Sequence, residues 1–511
     1  MSRSPGQPLR VVVLGGGTAG WMAATLMAHH WRSQPAHIGP VQISVLESPE
    51  IGIVGVGEGS TPSLKGFFDT LGIAESEWMP RCHATYKSSI EFRGWSAAPG
   101  HTAYMHPFPS DLDDRSVPAL FYAAGLRRHG LDMDGHPDRY FLNGVLARQR
   151  RAPVSPEHFP FRMAYGYHFD ASEIGRFLRD WGVARGVVHI EGTMREVVQD
   201  ESGDLIALRT TDGREIAGDF FVDSTGFRGL LLQQSLGVPF LSFADNLFND
   251  SAVVVQTPRD APTTECHTTA TALSAGWVWR IPLAHRLGNG YVYSSRHIDD
   301  EAAELELRRH LRLGDDAPPL RRLKMKVGRV ERPWVRNCLA VGLSQGFIEP
   351  LEATALHLVH ETVERFVEAY TQGGFGDRLR DAYNARINAR FEGVRDYIVA
   401  HYRMSSRRDT DYWRACSSTE NLSPSLRTLL QTWFAGENLD EEVRRQDIGK
   451  YFSTASWHCL LGGYGAYPDP AQMRAPSDAE RRFDIAKIDD FLRRCALNFA
   501  PHDEALAALQ S

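Results

Sequence analysis

The chain has 511 residues, 42% of them hydrophobic and 23% charged, a balance that gives a large soluble protein of about two to four domains. A formal charge of −7 without any long basic run gives no electrostatic case for binding nucleic acid or anionic membrane. No stretch approaches the roughly 18 consecutive apolar residues of a membrane span.

Val11 to Leu14 read as a buried parallel strand, and Met22 to Ala28 have helical composition. Between them lies G-x-G-x-x-G, a dinucleotide fingerprint. Gly15 permits the tight turn, Gly17 lets backbone approach a pyrophosphate, and Gly20 lets helix and strand pack closely, with Thr18 and Ala19 inside the turn. The phosphates belong on the helix N-terminus. Val41 to Glu47 supplies a second strand, and Glu47 at its end is placed to bind ribose hydroxyls.

Gly52 to Pro62 holds too many glycines for a regular element and reads as a backbone strap against a flat ligand, with Gly57 inside it. Lys65 to Gly72 reads as a short helix. Ala84 to Phe92 alternates like a strand or continues as irregular structure, and carries Lys87 among small and apolar neighbours. Trp95 to Pro160, rich in Pro, His, Gly and aromatics, reads as loops facing a substrate. Strand signals return at Val187–Ile190, at Leu205–Thr210, at Asp219–Phe227 with Asp223 and Gly226, and at Cys338–Gly342. Helices dominate from Leu356, where Tyr383, Ile387, Phe391, Val394, Ile398 and Tyr402 keep the spacing of a core-facing stripe. The implied organisation is one discontinuous dinucleotide domain over residues 1–355, with a substrate-lining insertion around 95–160, and a helical subdomain over 356–511.

Cys82, Cys266, Cys338, Cys416, Cys459 and Cys495 show no C-x-x-C pairing, so buried free thiols are expected rather than a metal site or disulfide framework. Met1 to Arg10 lacks the apolar core of a signal peptide, which favours the cytoplasm.

Three further motifs occur in order: G-V-G-E-G-S-T-P ending at Pro62, W-x-W-x-I-P carried by Trp277, Trp279, Ile281 and Pro282, and E-P-L-E ending at Glu352. With the glycine fingerprint, they make the chain resemble the flavin-dependent tryptophan halogenases over nearly its whole length. The resemblance implies an α/β fold: a Rossmann-like FAD domain of the flavin monooxygenase type under a mainly helical C-terminal part. It implies FAD held by Gly15, Gly17, Thr18, Ala19, Gly20, Glu47, Gly57, Asp223, Gly226 and Gly342, and a strap from Gly55 to Pro62 between the flavin and substrate sites. It also implies a separate flavin reductase, and no second G-x-G-x-x-G for a nicotinamide cofactor is present.

In this family reduced FAD, oxygen and halide yield hypohalous acid. The resemblance makes Lys87 the lysine that directs this oxidant and Glu352 the glutamate that polarises it or takes the proton from the arenium intermediate. Thr354 and Ala355 fall on the halide site, and His106 and Phe108 on the walls around an indole. Tryptophan halogenases usually read L-E-S-T-G where this chain reads Leu351-Glu352-Ala353-Thr354-Ala355. The Cβ at Ala355 puts chloride preference in doubt and leaves bromide open. The tyrosines and glutamate that clamp free tryptophan in the family have no clear counterpart; the nearest region offers Trp457 and His458. Bare indole or another electron-rich arene is therefore as good a candidate substrate as tryptophan. A homodimer is left open. The rival readings are an FAD-dependent aromatic hydroxylase, separable by whether product requires halide, and a non-catalytic FAD-binding protein, disfavoured by the presence of both Lys87 and Glu352.

Overall fold

The computed structural model describes residues 7–32, 39–52, 57–261, 263–314 and 317–510. Val11, Val12 and Val13 are fully buried in β1 (Leu9–Leu14), as expected of a strand covered on both faces. The chain turns through the glycines into α1 (Thr18–His30) and returns as β2 (Val41–Glu47). β1 pairs in parallel with β2 on one side and with the strand Phe220–Asp223 on the other. Among the described residues this sheet has six strands, with Trp334–Val335 and Cys338–Ala340 beyond Phe220–Asp223, and Val188–Glu191 beyond β2. This sheet thus draws on segments separated by more than a hundred residues.

Three short strands bring the glycine strap and Lys87 together. β3 (Gly57–Gly59) and β4 (Thr85–Lys87) flank β7 (Gly166–Asp170) in an antiparallel sheet, with β5 (Ser89–Arg93) and β6 (Ala103–Pro107) between them in the chain. The strap therefore contains a strand. Its glycines are compatible with pairing because β7 supplies the partner groups and the larger side chains. The stretch from Ala84 to Phe92 is two strands broken at Ser88, with β5 passing into a second, seven-stranded sheet. That sheet also holds β6 and the strands His267–Ala272, Gly276–Pro282 and Leu287–Tyr293.

The 95–160 region is not a set of loops: it contains β6 and the helices Val117–Arg128 and Leu142–Arg148. Its Pro and Gly residues punctuate these elements, and composition alone did not register them. The C-terminal part is helical as expected, led by Ala355–Gln372, which packs on α1, and Arg380–Met404, whose six-residue stripe is entirely buried. The six cysteines are free; five are buried and Cys495 is half-buried. Among the described residues no helix is long and apolar enough to cross a membrane, and no cluster of three metal-ligating side chains occurs.

Candidate active site and dinucleotide cradle

The glycine turn has the form a pyrophosphate requires. Gly15 has a φ of +110°, and a Cβ there would meet the Ser224 carbonyl oxygen at 2.2 Å; one on Gly20 would meet the Gly15 carbonyl oxygen at 2.0 Å. Over Gly17, the N-cap of α1, the space is open, and no side chain caps the helix. Its first N–H groups are thus free for an anion. Thr18 is committed to the fold through a hydrogen bond to the Ala171 carbonyl, and Ala19 packs beside Gly342. The Glu47 carboxylate folds over Gly16, where a Cβ would lie 2.1 Å from its Cδ, and is paired with His189 at 3.0 Å. Gly226 and Gly342 have φ values of +66° and +63°, at turns that residues with side chains rarely adopt. These residues fit a dinucleotide such as FAD.

Asp223 and Gly57 are also held by contacts within the fold. The Asp223 carboxylate is fully buried and accepts from the N–H and hydroxyl of Thr225 and the N–H groups of Leu231 and Leu232. With both oxygens engaged, it shapes the loop rather than presenting itself to a ligand. Gly57 lies against Gly288: a Cβ on Gly288 would come 3.0 Å from the Gly57 backbone, whereas a Cβ on Gly57 would make only ordinary contacts, at 3.4 Å or more, with Gly288, Leu283 and Ile281. Gly55 lies outside the described residues.

Lys87 ends β4 and is fully buried, and its Nζ has no hydrogen-bond partner among the described residues. It stands 5.5 Å from the centre of the Phe108 ring. Burial pulls its pKa down to about 7, against the opposing pull of the Glu352 carboxylate. Its neighbours across the sheet are glycines: Gly166 is its register partner, and a Cβ on Gly59 would approach Nζ to 3.2 Å. The lysine chain lies where these positions leave room.

Glu352, 3% exposed, lies in the one-turn helix Pro350–Glu352 just before Ala355–Gln372. Its Oε1 bonds His106 Nδ1 at 2.9 Å and also lies 2.9 Å from His401 Nε2, off the line of a regular hydrogen bond. Burial pushes this carboxyl up, but His106 and His401 outweigh it and hold it at about 2. His106 also faces the Tyr397 hydroxyl at 3.5 Å, and Trp457 stands edge-on to the Tyr397 ring with centroids 4.7 Å apart. The structure thus sets Lys87 beside Phe108, joins Glu352 to His106 directly and to Trp457 through His106 and Tyr397, and leaves Lys87 within the electrostatic reach of Glu352.

Thr354 and Ala355 sit at the N-terminus of the Ala355–Gln372 helix, and the buried Thr354 hydroxyl has no partner among the described residues. Ala355 is already helical, so its Cβ carries no backbone strain. The left-handed residue is Ala353, with φ +55°. The Cβ of Ala355 thus costs the backbone no strain.

The W-x-W-x-I-P strand ties both halves of the site. Its Trp277 Nε1 donates to Glu349 Oε2 at 3.2 Å, three residues before Glu352, and its Pro282 carbonyl accepts from Thr85 at 2.7 Å, two residues before Lys87. Trp279 and Ile281 are buried, the latter near Gly57. Glu349 also accepts from Asn249 at 2.9 Å and from the Tyr402 hydroxyl, all on the same oxygen, and burial pushes it up to about 7. Sequence reasoning missed His401, Glu349 and His168. Glu349 was visible inside E-P-L-E, but adjacency to Glu352 gave it no role; His401 beside the core residue Tyr402 gave no signal.

A family described as tryptophan halogenase matches residues 10–479. The tryptophan 6-halogenase SttH of Streptomyces toxytricini is 36% identical, covering 93% of this chain and 94% of its own. The tryptophan 7-halogenase RebH of Lentzea aerocolonigenes is 33% identical, with 91% of each chain covered. Among solved structures, Xcc4156, a flavin-dependent halogenase from Xanthomonas campestris, superposes with a TM-score of 0.82 at 34% identity, covering 98% of each chain.

Proposed function

The chain belongs to the flavin-dependent tryptophan halogenase family, and from that premise we propose that it halogenates an electron-rich aromatic, indole or a tryptophan-like compound, through Lys87 and Glu352. The family is two-component, and this chain is an enzyme of it that takes reduced FAD from a separate reductase. Bound reduced FAD supplies, with oxygen and halide, the hypohalous acid. Gly15, Gly17 and Gly20 would hold its pyrophosphate and Glu47 its ribose. The N-terminus of Ala355–Gln372, with the Thr354 and Ala355 amides, would hold the halide through the partial positive charge of the helix end.

The carrying observation is the Lys87 amine, fully buried and unpartnered among the described residues, in the field of the Glu352 carboxylate. Burial brings its two protonation states close at neutral pH. The ammonium can donate a hydrogen bond to hypohalous acid, or the free amine can become a haloamine. Glu352 stays ionised and can polarise the oxidant or accept the proton that leaves the ring carbon, while His106 and His401 fix its orientation. Phe108, His106 and Trp457 would wall the arene. These aromatic walls suit a bare indole ring as well as tryptophan. Bromide stands beside chloride as a candidate halide.

The test is product mass from an aromatic panel with reduced FAD, oxygen and chloride or bromide. A halogenated product lost in Lys87→Ala is expected. Hydroxylated product formed without halide would overturn the reading in favour of a monooxygenase.

A further inference from the structure

Beneath Lys87 lies a chain of hydrogen bonds whose direction the chemistry fixes. The Thr85 hydroxyl has one proton, and the Pro282 carbonyl, 2.7 Å away, can only accept it. The contact between Thr85 Oγ1 and His168 Nδ1 at 3.1 Å must then be donated by the imidazole. His168 is fully buried, and burial together with the charge of Lys87 holds it neutral. A neutral ring with its proton on Nδ1 has a bare Nε2, so the Thr268 hydroxyl, 2.9 Å away, donates to it. All three protons point toward Pro282, and Thr268 Oγ1, at the head of the chain, is left with lone pairs free to accept. A hydroxyl that donates within such a chain is a better acceptor at its own oxygen.

That oxygen and the Lys87 amine converge over the same bare backbone. A Cβ on Gly59 would lie 3.2 Å from Lys87 Nζ and 3.5 Å from Thr268 Oγ1, and β7 places His168 directly opposite both Gly59 and Thr85. A donor with no partner among the described residues and an acceptor whose own proton is spent thus face one space.

We propose that Thr268, oriented by His168 and Thr85, is the acceptor that positions the Lys87 amine and the oxidant it holds, making Thr268 and His168 positioning residues for halogen transfer. The assignment rests on the halogenase reading above. Hypohalous acid carries one O–H proton and a lone-pair-rich oxygen: the ammonium donates to that oxygen while Thr268 Oγ1 accepts the proton, and no covalent bond changes. The charged and titratable groups around Lys87 are Glu352 and His168, with His267 and His502 acting on His168 from behind.

Two measurements test this. In protein with ¹⁵N-labelled histidine, with His168 assigned by difference from His168→Gln, the ring should be the neutral Nδ1–H tautomer from pH 5 to pH 9. A ring protonated in that range, or carrying its proton on Nε2, overturns the proposal without reference to activity. In turnover, Thr268→Val should lower halogenated product per FADH2 consumed by about ten- to a hundredfold, the range for a lost hydrogen bond at a charged group. It should also move the midpoint of the pH profile by more than about half a unit, because a methyl group replaces the oxygen that faces the Lys87 amine, and Thr268→Ser should recover most of the lost yield. A Thr268→Val yield within about twofold of the parent with an unshifted profile, or a Thr268→Ser as impaired as the valine variant, overturns it. Failure of the parent reading looks different: Lys87→Ala would retain its halogenated product, or product would form without halide.

Discussion

Replacing Lys87 by methionine should abolish halogenation and make the protein more stable, and the gain should depend on pH in a defined direction. Burial lowers the lysine from 10.5 to about 7. At 1.36 kcal/mol per unit, this makes the charged side chain about 5 kcal/mol less favourable folded than unfolded, an upper bound because local relaxation reduces it. The sign follows from which state holds the proton. Below pH 7 both states are protonated and the folded protein bears the full cost of a buried charge. Between pH 7 and 10.5 the unfolded chain binds more protons, so stability rises with pH, and above 10.5 the cost is gone. Methionine fills a similar volume without charge. For 511 residues the entropy of unfolding gives about 1 °C per kcal/mol, so Lys87→Met should melt up to about 4–5 °C above the parent at pH 6, with the gap closing toward pH 10. Differential scanning calorimetry of both proteins without flavin or halide, from pH 6 to pH 10, measures it. A variant that melts below the parent at pH 6, or a gap that widens with pH, would refute the account of Lys87 as a buried, unpartnered amine.

Glu352→Gln should cut turnover by about 10²–10⁴-fold, as for a lost general base, with single-turnover kinetics as the readout; a loss below about tenfold would reduce Glu352 to a structural carboxylate. Glu349, pushed up from 4.5 to about 7 by burial, makes the folded protein pay for its charge increasingly as pH rises through that window. Glu349→Gln should therefore be more stable relative to the parent at pH 8 than at pH 4, whereas Glu349→Ala, which strands the Trp277, Asn249 and Tyr402 donors, should lose stability at both, as urea unfolding would register. Indole should be halogenated at least as efficiently as tryptophan: a site built on aromatic contacts discriminates weakly, whereas a buried clamp rejects an analogue by up to about 10⁴–10⁵, so a tryptophan preference above about a hundredfold in kcat/KM would reveal an unrecognised clamp. The purified chain should oxidise no NADH in step with product until a flavin reductase is added, which the loss of NADH absorbance follows.

The amino-acid sequence by itself determined the local features whose physics is short-range. The run of valines before Gly15 dictates a buried strand, the glycine spacing dictates the turn into α1, and the stripe from Tyr383 to Tyr402 dictates a core-facing helix. The motifs also marked Lys87 and Glu352, although composition could not say that one is a lowered amine and the other a depressed carboxyl. Only the tertiary structure decided that, because both shifts come from the folded surroundings: burial lowers Lys87, while Glu352 meets His106 from β6 and His401 from the Arg380–Met404 helix. The same holds for His168 and Thr268, a hundred residues apart yet 2.9 Å from each other, and for the two ends of the W-x-W-x-I-P strand, which fasten Glu349 and Thr85. Periodicity encodes which face of an element is buried. It does not encode which donor that face meets, and in this protein the direction of the hydrogen bonds at the site depends on that meeting.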